Sequence, residues 1–248
     1  GSDLGTGHQG ERGDALVFIN TSATEKIIKI LTVPRDTYVT IRGRNTKINH
    51  ALAYGGWRLQ KSTVEEFTGV KADKVFFIDI NSLRDLAYTV RQKIGDYQFI
   101  KDIHAKVGFR QAAELMGGGE LGWNTINIMV RDRNLPDSSL GRAKNHAKIV
   151  GACISLLKDY CNDPQKRQLF EKEMISRLLS IVRYSDLTPE EVDSIVKEWA
   201  NNGYRIELYC GPCKPQNIDR IFYWIPEEVS GTGSYFFRVC NNSKYRVV

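Results

Sequence analysis

Four arginines stand where a short chain could gather them. Arg131 and Arg133 alternate at the end of an apolar stretch, Arg142 follows nine residues later, and Arg35 sits in Pro34-Arg35-Asp36 after another apolar run. A strand through 124–133 would place Arg131 and Arg133 on one face, because side chains repeat every second residue. Arg142 then falls in the first turn of the next helix, where a cation opposes the helix dipole. That placement makes sense if an anion binds there, held by backbone N–H groups and guanidinium together. The chemistry suggested is recognition of phosphate or diphosphate. A solvated basic rim would show the same residues, so the four are read together.

Other chemical signals are weaker. Cys210-Gly211-Pro212-Cys213 is a dithiol spacing, but redox work needs its first cysteine at a helix N-terminus. Pro215 and a short remaining tail favour a link between strands instead. Gly117, Gly119 and Gly122 fit a dinucleotide-loop spacing, yet they precede a predicted strand where they should follow one. The four histidines, His8, His50, His104 and His146, show no metal-ligand spacing.

The elements that must carry these residues follow from hydrophobic period. Residues 14–20 and 26–33 read as two strands of an antiparallel hairpin, closed by Pro34, which cannot donate to a ladder. Residues 61–67 read as a helix and 74–80 as a buried strand, with Asn81 capping the next helix. Residues 124–133 read as a strand. A helix after Ser139 has Ala143, Ala147, Val150, Ile154 and Leu157 at helical spacing. Residues 164–182 read as another helix. Thr188-Pro189-Glu190-Glu191 is a capping box with proline at the first helical position. The tail returns to strands, most clearly at 222–225.

The chain has 248 residues, 42% apolar and 26% charged, enough to bury a sizeable core and too apolar for a disordered chain. Its mixed strands and helices predict an α/β fold. No apolar run approaches the ~20 residues that span a bilayer. A balance of 35 basic against 29 acidic residues leaves +6, which suits an anionic partner without choosing one. Five cysteines make no disulfide framework. Nucleic acid is not expected, because aromatic and basic residues are not interleaved.

Taken in order, the motifs resemble the LytR-CpsA-Psr family of bacterial cell-wall glycopolymer transferases. The resemblance is carried by Asp3, Arg12-Gly13-Asp14, Val33-Pro34-Arg35-Asp36-Thr37-Tyr38-Val39, Lys47-Ile48-Asn49-His50-Ala51 and Ala53-Tyr54-Gly55-Gly56. It continues through the segment Thr63–Val70, the Arg131-x-Arg133 pair, Asp137, Gly141-Arg142 and Tyr223-Trp224-Ile225-Pro226-Glu227.

The resemblance implies one domain over residues 1–248, with a central mixed β-sheet flanked by helices and an apolar tunnel for a prenyl chain. It implies transfer of a polyprenyl-pyrophosphate-linked glycopolymer, of teichoic acid or capsule type, onto peptidoglycan, with pyrophosphatase activity as a side reaction. Arg35, Arg131, Arg133 and Arg142 would hold the pyrophosphate, and Asp36 would orient an arginine or act as base. Asp3 and Asp14 would bind Mg²⁺ or Mn²⁺, the hard oxygen ligands such ions take. Lys47, Asn145 and His146 would line the substrate site. The resemblance also implies a membrane anchor and work at the extracytoplasmic face of a bacterial membrane.

One departure stands out. The family pattern Gly-Arg-x-x-Arg-Gln reads Gly141-Arg142-Ala143-Lys144-Asn145-His146 here, which removes one positive charge from the site. That leaves open a second reading, a non-catalytic protein of the same fold that binds prenyl phosphate or wall glycan, structural or virus-encoded.

Overall fold

The computed structural model describes residues 11–79, 81–82, 85, 89, 130–131, 139–167 and 172–247. The hairpin expected at the start is present. Strands β1 (Leu16–Ser22) and β2 (Ile27–Val33) pair antiparallel from Leu16↔Val33 to Ser22↔Ile27. Strand β2 is buried at every position, as a near-continuous apolar run should be when both faces are covered. Its other neighbour is a parallel strand from the far end of the chain, Arg205–Cys210, paired from Ile27↔Arg205 to Thr32↔Cys210. The central sheet is therefore mixed, as expected.

Between them in sequence run β3 (Tyr38–Ile41) and β4 (Arg44–Lys47), a small hairpin, then α1 (His50–Thr68). Helix α1 starts eleven residues before the expected one. Gly55 and Gly56 interrupt its backbone, and Gly56 takes a left-handed φ of 67° that a side chain would resist. The pair hides the helix's first turn from a periodicity argument.

The segment read as a buried strand over 74–80 is only β5 (Phe76–Phe77), paired with β6 (Tyr184–Ser185), and Phe76 is exposed. Its apolar residues look alike in sequence, but a two-residue ladder covers little. Residues 81 and 82 are helical, and the cap is Asp79, whose Oδ1 accepts from the Ser82 N–H at 2.7 Å; Asn81 is not the capping residue. Asp79 is also held by Arg183 at 3.1 Å.

Helix α2 (Ser139–Asn162) appears as expected, and of the helix read over 164–182 the described residues show α3 (Pro164–Arg167) and α4 (Lys172–Ile181). Helix α5 (Pro189–Asn201) carries both bonds of the predicted capping box. Strand β7 is Arg205–Cys210, followed by the hairpin β8 (Cys213–Ile218) and β9 (Ile221–Pro226), helix α6 (Tyr235–Cys240) and a 3₁₀ turn at Ser243–Tyr245. The dithiol spacing thus links two strands, and no disulfide joins the two cysteines.

The central sheet separates two packed layers. On one side Phe18, Leu31 and Tyr209 meet Phe236 and Val239 of α6. On the other, Ile28 and Ile30 meet Ile154 of α2 and Trp199 of α5. Alternation along β2 sends its odd-numbered residues to α6 and its even-numbered ones to α2. This three-layer frame fixes the two surfaces that face each other at the end of β2.

Candidate diphosphate-binding site

Where β2 stops, Pro34 has no N–H to continue the ladder, and the chain turns. The turn is closed by Thr37, whose N–H and Oγ1 both donate to the Pro34 carbonyl, at 3.0 and 2.6 Å. Its two flanks are tied down by backbone bonds. Asn49 N–H donates to the Arg35 carbonyl at 3.2 Å, and Trp224 N–H donates to the Asp36 carbonyl at 3.0 Å. Arg35 and Asp36 are thus presented from a rigid corner, between the start of α1 and strand β9.

Their side chains form a linked set. The Arg35 guanidinium is bonded to the Asp14 carboxylate, at the opening of β1. Its Nε lies 3.6 Å from Asp36 Oδ2, and Lys47 Nζ lies 3.0 Å from Asp36 Oδ1. Lys47 also approaches the ring of Tyr223, at 5.7 Å from its centroid. Asp14 is placed by its neighbour: Gly13 N–H donates to the Asn49 carbonyl at 3.2 Å, and a Cβ on Gly13 would lie 2.6 Å from Gln60 Oε1. The sequence Arg12-Gly13-Asp14 is therefore packed flush against the start of α1.

His50 belongs to this group, although its spacing gave no hint of it. Its Nδ1 lies 2.7 Å from Thr46 Oγ1. Burial lowers its pKa, and the charges of Arg12, Lys47 and Arg35 lower it further against the opposing pull of Asp36. Arg12 is a further member that a search for arginines at strand ends passed over. Only its place in a motif beside Asp14 could have found it.

The facing surface is α2. Arg142, Asn145 and His146, at spacings of three and four, share one face and are all buried. Trp224 Nε1 donates to Ser139 Oγ at 2.6 Å, so β9 braces the first residue of α2 as well as the Arg35–Asp36 corner. No acidic residue occupies the first turn of α2. Asn145 Nδ2 is buried with no hydrogen-bond partner among the described residues, one turn from Arg142.

His146 differs from the expected substrate contact. Its Nε2 lies 2.8 Å from the Val130 carbonyl, which only accepts, so Nε2 carries the proton. Burial takes its pKa down to about 4; the Val130 bond opposes this, the Arg142 charge adds to it, and Asp14 opposes it. The ring is neutral and spends its N–H on structure. The Asp14 charge reaches His146, and Trp224 ties the Arg35–Asp36 corner to the start of α2.

Residues 130–131 are helical, so the strand expected over 124–133 does not reach its end, and the same-face argument for Arg131 and Arg133 does not hold. Arg131 is half-buried, one residue beyond the carbonyl that His146 holds. Asp3, Arg133 and Asp137 lie outside the described residues. Of the expected site residues, the structure brings together Asp14, Arg35, Asp36 and Lys47 on one side, and Arg142, Asn145 and His146 on the other.

Residues 1–160 match the LytR_cpsA_psr family, well over half of the chain. The chain belongs to that family. A teichoic acid transferase of Bacillus subtilis, polyisoprenyl-teichoic acid–peptidoglycan teichoic acid transferase TagT, is 33% identical over 161 residues. That alignment spans 62% of this chain and 48% of the relative. TagU of Bacillus licheniformis is 26% identical over 160 residues, spanning 62% of this chain and 49% of the relative. The chain thus matches about half the length of these relatives. Among solved structures, TagT bound to LIIa-WTA superposes with a TM-score of 0.65 at 20% identity, covering 91% of this chain and 82% of that one. Bacillus subtilis TagV superposes at 0.66 and 18% identity, covering 89% and 85%. The LytR-CpsA-Psr fold accounts for the mixed sheet and its two helical layers.

Proposed function

We propose that this chain is a phosphotransferase that moves a polyprenyl-pyrophosphate-linked glycopolymer, of teichoic acid or capsule type, onto peptidoglycan. The observation that carries the reading is the pair of facing surfaces at the end of β2. There Arg12, Arg35, Lys47 and Arg142 gather with Asp14 and Asp36. Guanidinium and ammonium groups so gathered fit a diphosphate diester, and the relatives named above act on polyisoprenyl-linked teichoic acid. Guanidinium forks position the phosphates and absorb charge that grows on the leaving oxygen.

In this reading an acceptor hydroxyl attacks the phosphorus that bears the polymer. A new P–O bond forms, the P–O–P bridge breaks, prenyl phosphate leaves with the bridging electrons, and the hydroxyl's proton passes to solvent. Arg35 and Arg142 approach from opposite sides, and Arg131 and Arg133 extend the arginine set. Asp36, paired with Lys47 and Arg35, orients those cations. Asn145 offers a neutral N–H where the family pattern has a charge. An apolar tunnel for the prenyl chain belongs to the same proposal.

Among the described residues no cluster of three or more His, Cys, Asp or Glu could hold a metal. Magnesium sites at phosphates need only one or two carboxylates, so Asp14 fits such a role with substrate oxygens, and Asp3 would complete it. A bound Mg²⁺ or Mn²⁺ would supply Lewis-acid neutralisation of the diphosphate. We place the reaction at the extracytoplasmic face of a bacterial membrane; no described helix is long and apolar enough to cross one.

The test is transfer of a labelled prenyl-pyrophosphate-linked polymer to peptidoglycan, comparing the chain with Arg142→Ala. A drop of about 100-fold, the scale of a lost transition-state donor, is expected. Equal rates would refute the assignment. The unpartnered Asn145 favours one second reading, binding of the donor lipid without transfer, and the same assay exposes it as binding with zero product.

A further inference from the structure

Away from the candidate diphosphate site, helix α6 and the loops on either side of it line an open cleft of about 390 Å³. Its walls include Ser230, Thr232, Arg238, Asn241, Asn242 and Ser243. None of its lining residues is acidic. The two asparagines are held in one sense. Asn241 Oδ1 accepts from Lys29 Nζ at 2.9 Å, and Asn242 Oδ1 accepts from the Lys244 N–H at 3.0 Å. With both amide oxygens engaged, the groups left to a ligand are two NH₂ donors, joined by three hydroxyls.

Arg238 strengthens the case. The residue is half-buried, its Nη1 donates to the Gly233 carbonyl at 2.9 Å near the surface, and its Nε is buried with no acceptor among the described residues. No carboxylate among the described residues pairs with it. A guanidinium taken partly out of water without a counter-charge is costly to leave so, and an anion would restore the balance. Lys29 lies directly behind Asn241 and adds positive charge, although Glu25 at 3.5 Å offsets part of it.

We propose that this cleft is an oxyanion site that takes a phosphate of a phosphodiester chain. Its donors, its lone guanidinium and its lack of carboxylates point to that chemistry. The assignment of polymer phosphate as the natural source rests on the transferase reading; the oxyanion chemistry does not. A second hold on the polymer, distant from the reacting diphosphate, would raise the local concentration of donor without touching the transfer step.

The experiment measures equilibrium binding of three probes to the full chain: inorganic phosphate, a synthetic glycerol phosphate trimer, and a phosphate-free polyol of equal length. The comparison variant is Asn241→Asp with Asn242→Asp. It keeps both oxygens for Lys29 and Lys244 while replacing the donors by carboxylates, so its thermal melt should match or exceed the parent's. The trimer is expected to bind, and the double variant to bind it at least tenfold more weakly. Arg238→Gln removes the charge alone and should weaken binding in the same direction. Equal binding of the phosphate-free polyol, or no effect of either variant, would overturn the proposal. Phosphate binding as tightly as the trimer would keep the oxyanion site and overturn the polymer as its source. None of these readouts requires turnover, so failure of the transferase reading is seen separately.

Discussion

The two surfaces of the candidate site are built in different ways. The wall from β1, β2 and the start of α1 neutralises its own charges: Arg35 with Asp14 and Asp36, Lys47 with Asp36. The α2 wall is built on burial. It buries Arg142, leaves the Asn145 Nδ2 without a partner among the described residues and keeps His146 neutral. The first wall is preorganised by ion pairs, so it is rigid before any ligand arrives. The second is desolvated, so its donors gain most when an anion enters. The difference predicts that mutations on the two walls fail in different ways.

The largest effect belongs to the self-paired wall. Arg35→Ala should lower transfer about 100-fold and also destabilise the fold, by roughly 2–3 kcal/mol, since it takes the cation from the partly buried Asp14 carboxylate and leaves Asp36 with Lys47. Arg142→Ala should match it in transfer while costing less stability. Chemical denaturation beside the transfer assay reads both, and equal stability losses would erase the distinction between the walls.

The α2 wall carries its own pH dependence. His146 has a folded pKa of about 4 against an ordinary value of 6.5. Between those values the unfolded chain binds the proton and the folded chain does not, so stability rises with pH. Stability from this group is complete above about pH 6.5 and lost as pH falls toward 4, by up to about 3 kcal/mol. Melting temperatures from pH 4 to 7 should show this slope, and His146→Gln should flatten it. A slope unchanged by that substitution would mean that the ring is not neutral and buried as described.

Much of the first wall was legible because its parts are local. An apolar pair of runs broken by Pro34, with Arg35 and Asp36 behind it, states a strand end and two charges in consecutive residues. The pairing of β2 with β7 was not, since Ile27 and Arg205 meet across most of the chain and no local period reports a parallel partner. Alternation at Ile126, Ile128 and Val130 suggested a strand that residues 130–131 do not join. There the deciding contact is His146 on the Val130 carbonyl, sixteen residues away. His50 was passed over for a similar reason: its importance lies in Arg12 and Arg35, which the fold brings to it. The substitution at Asn145 was visible in sequence; that its donor is buried and unpartnered was not.

Smaller effects sharpen the comparison. Trp224→Phe removes the bond to Ser139 that couples the walls, while keeping most of the packing. It should cost about 1 kcal/mol in denaturant unfolding and reduce transfer several-fold. Loss of stability without loss of transfer would show that the brace is structural only. Asn145→Arg, restoring the family charge, should tighten prenyl pyrophosphate binding by a few-fold in a direct binding assay, and weaker binding would mean that the buried pocket cannot seat a second guanidinium.

In the proposed site both walls grip one diphosphate. A double-mutant cycle of Arg35→Gln and Arg142→Gln, read as affinity for a short polyprenyl pyrophosphate, tests it most directly. Two groups on one ligand should couple, with the double variant losing at least 1 kcal/mol less, on the order of RT-scale accuracy for such cycles, than the two single losses added together. Strict additivity would contradict the claim, because it would place the two arginines at independent sites.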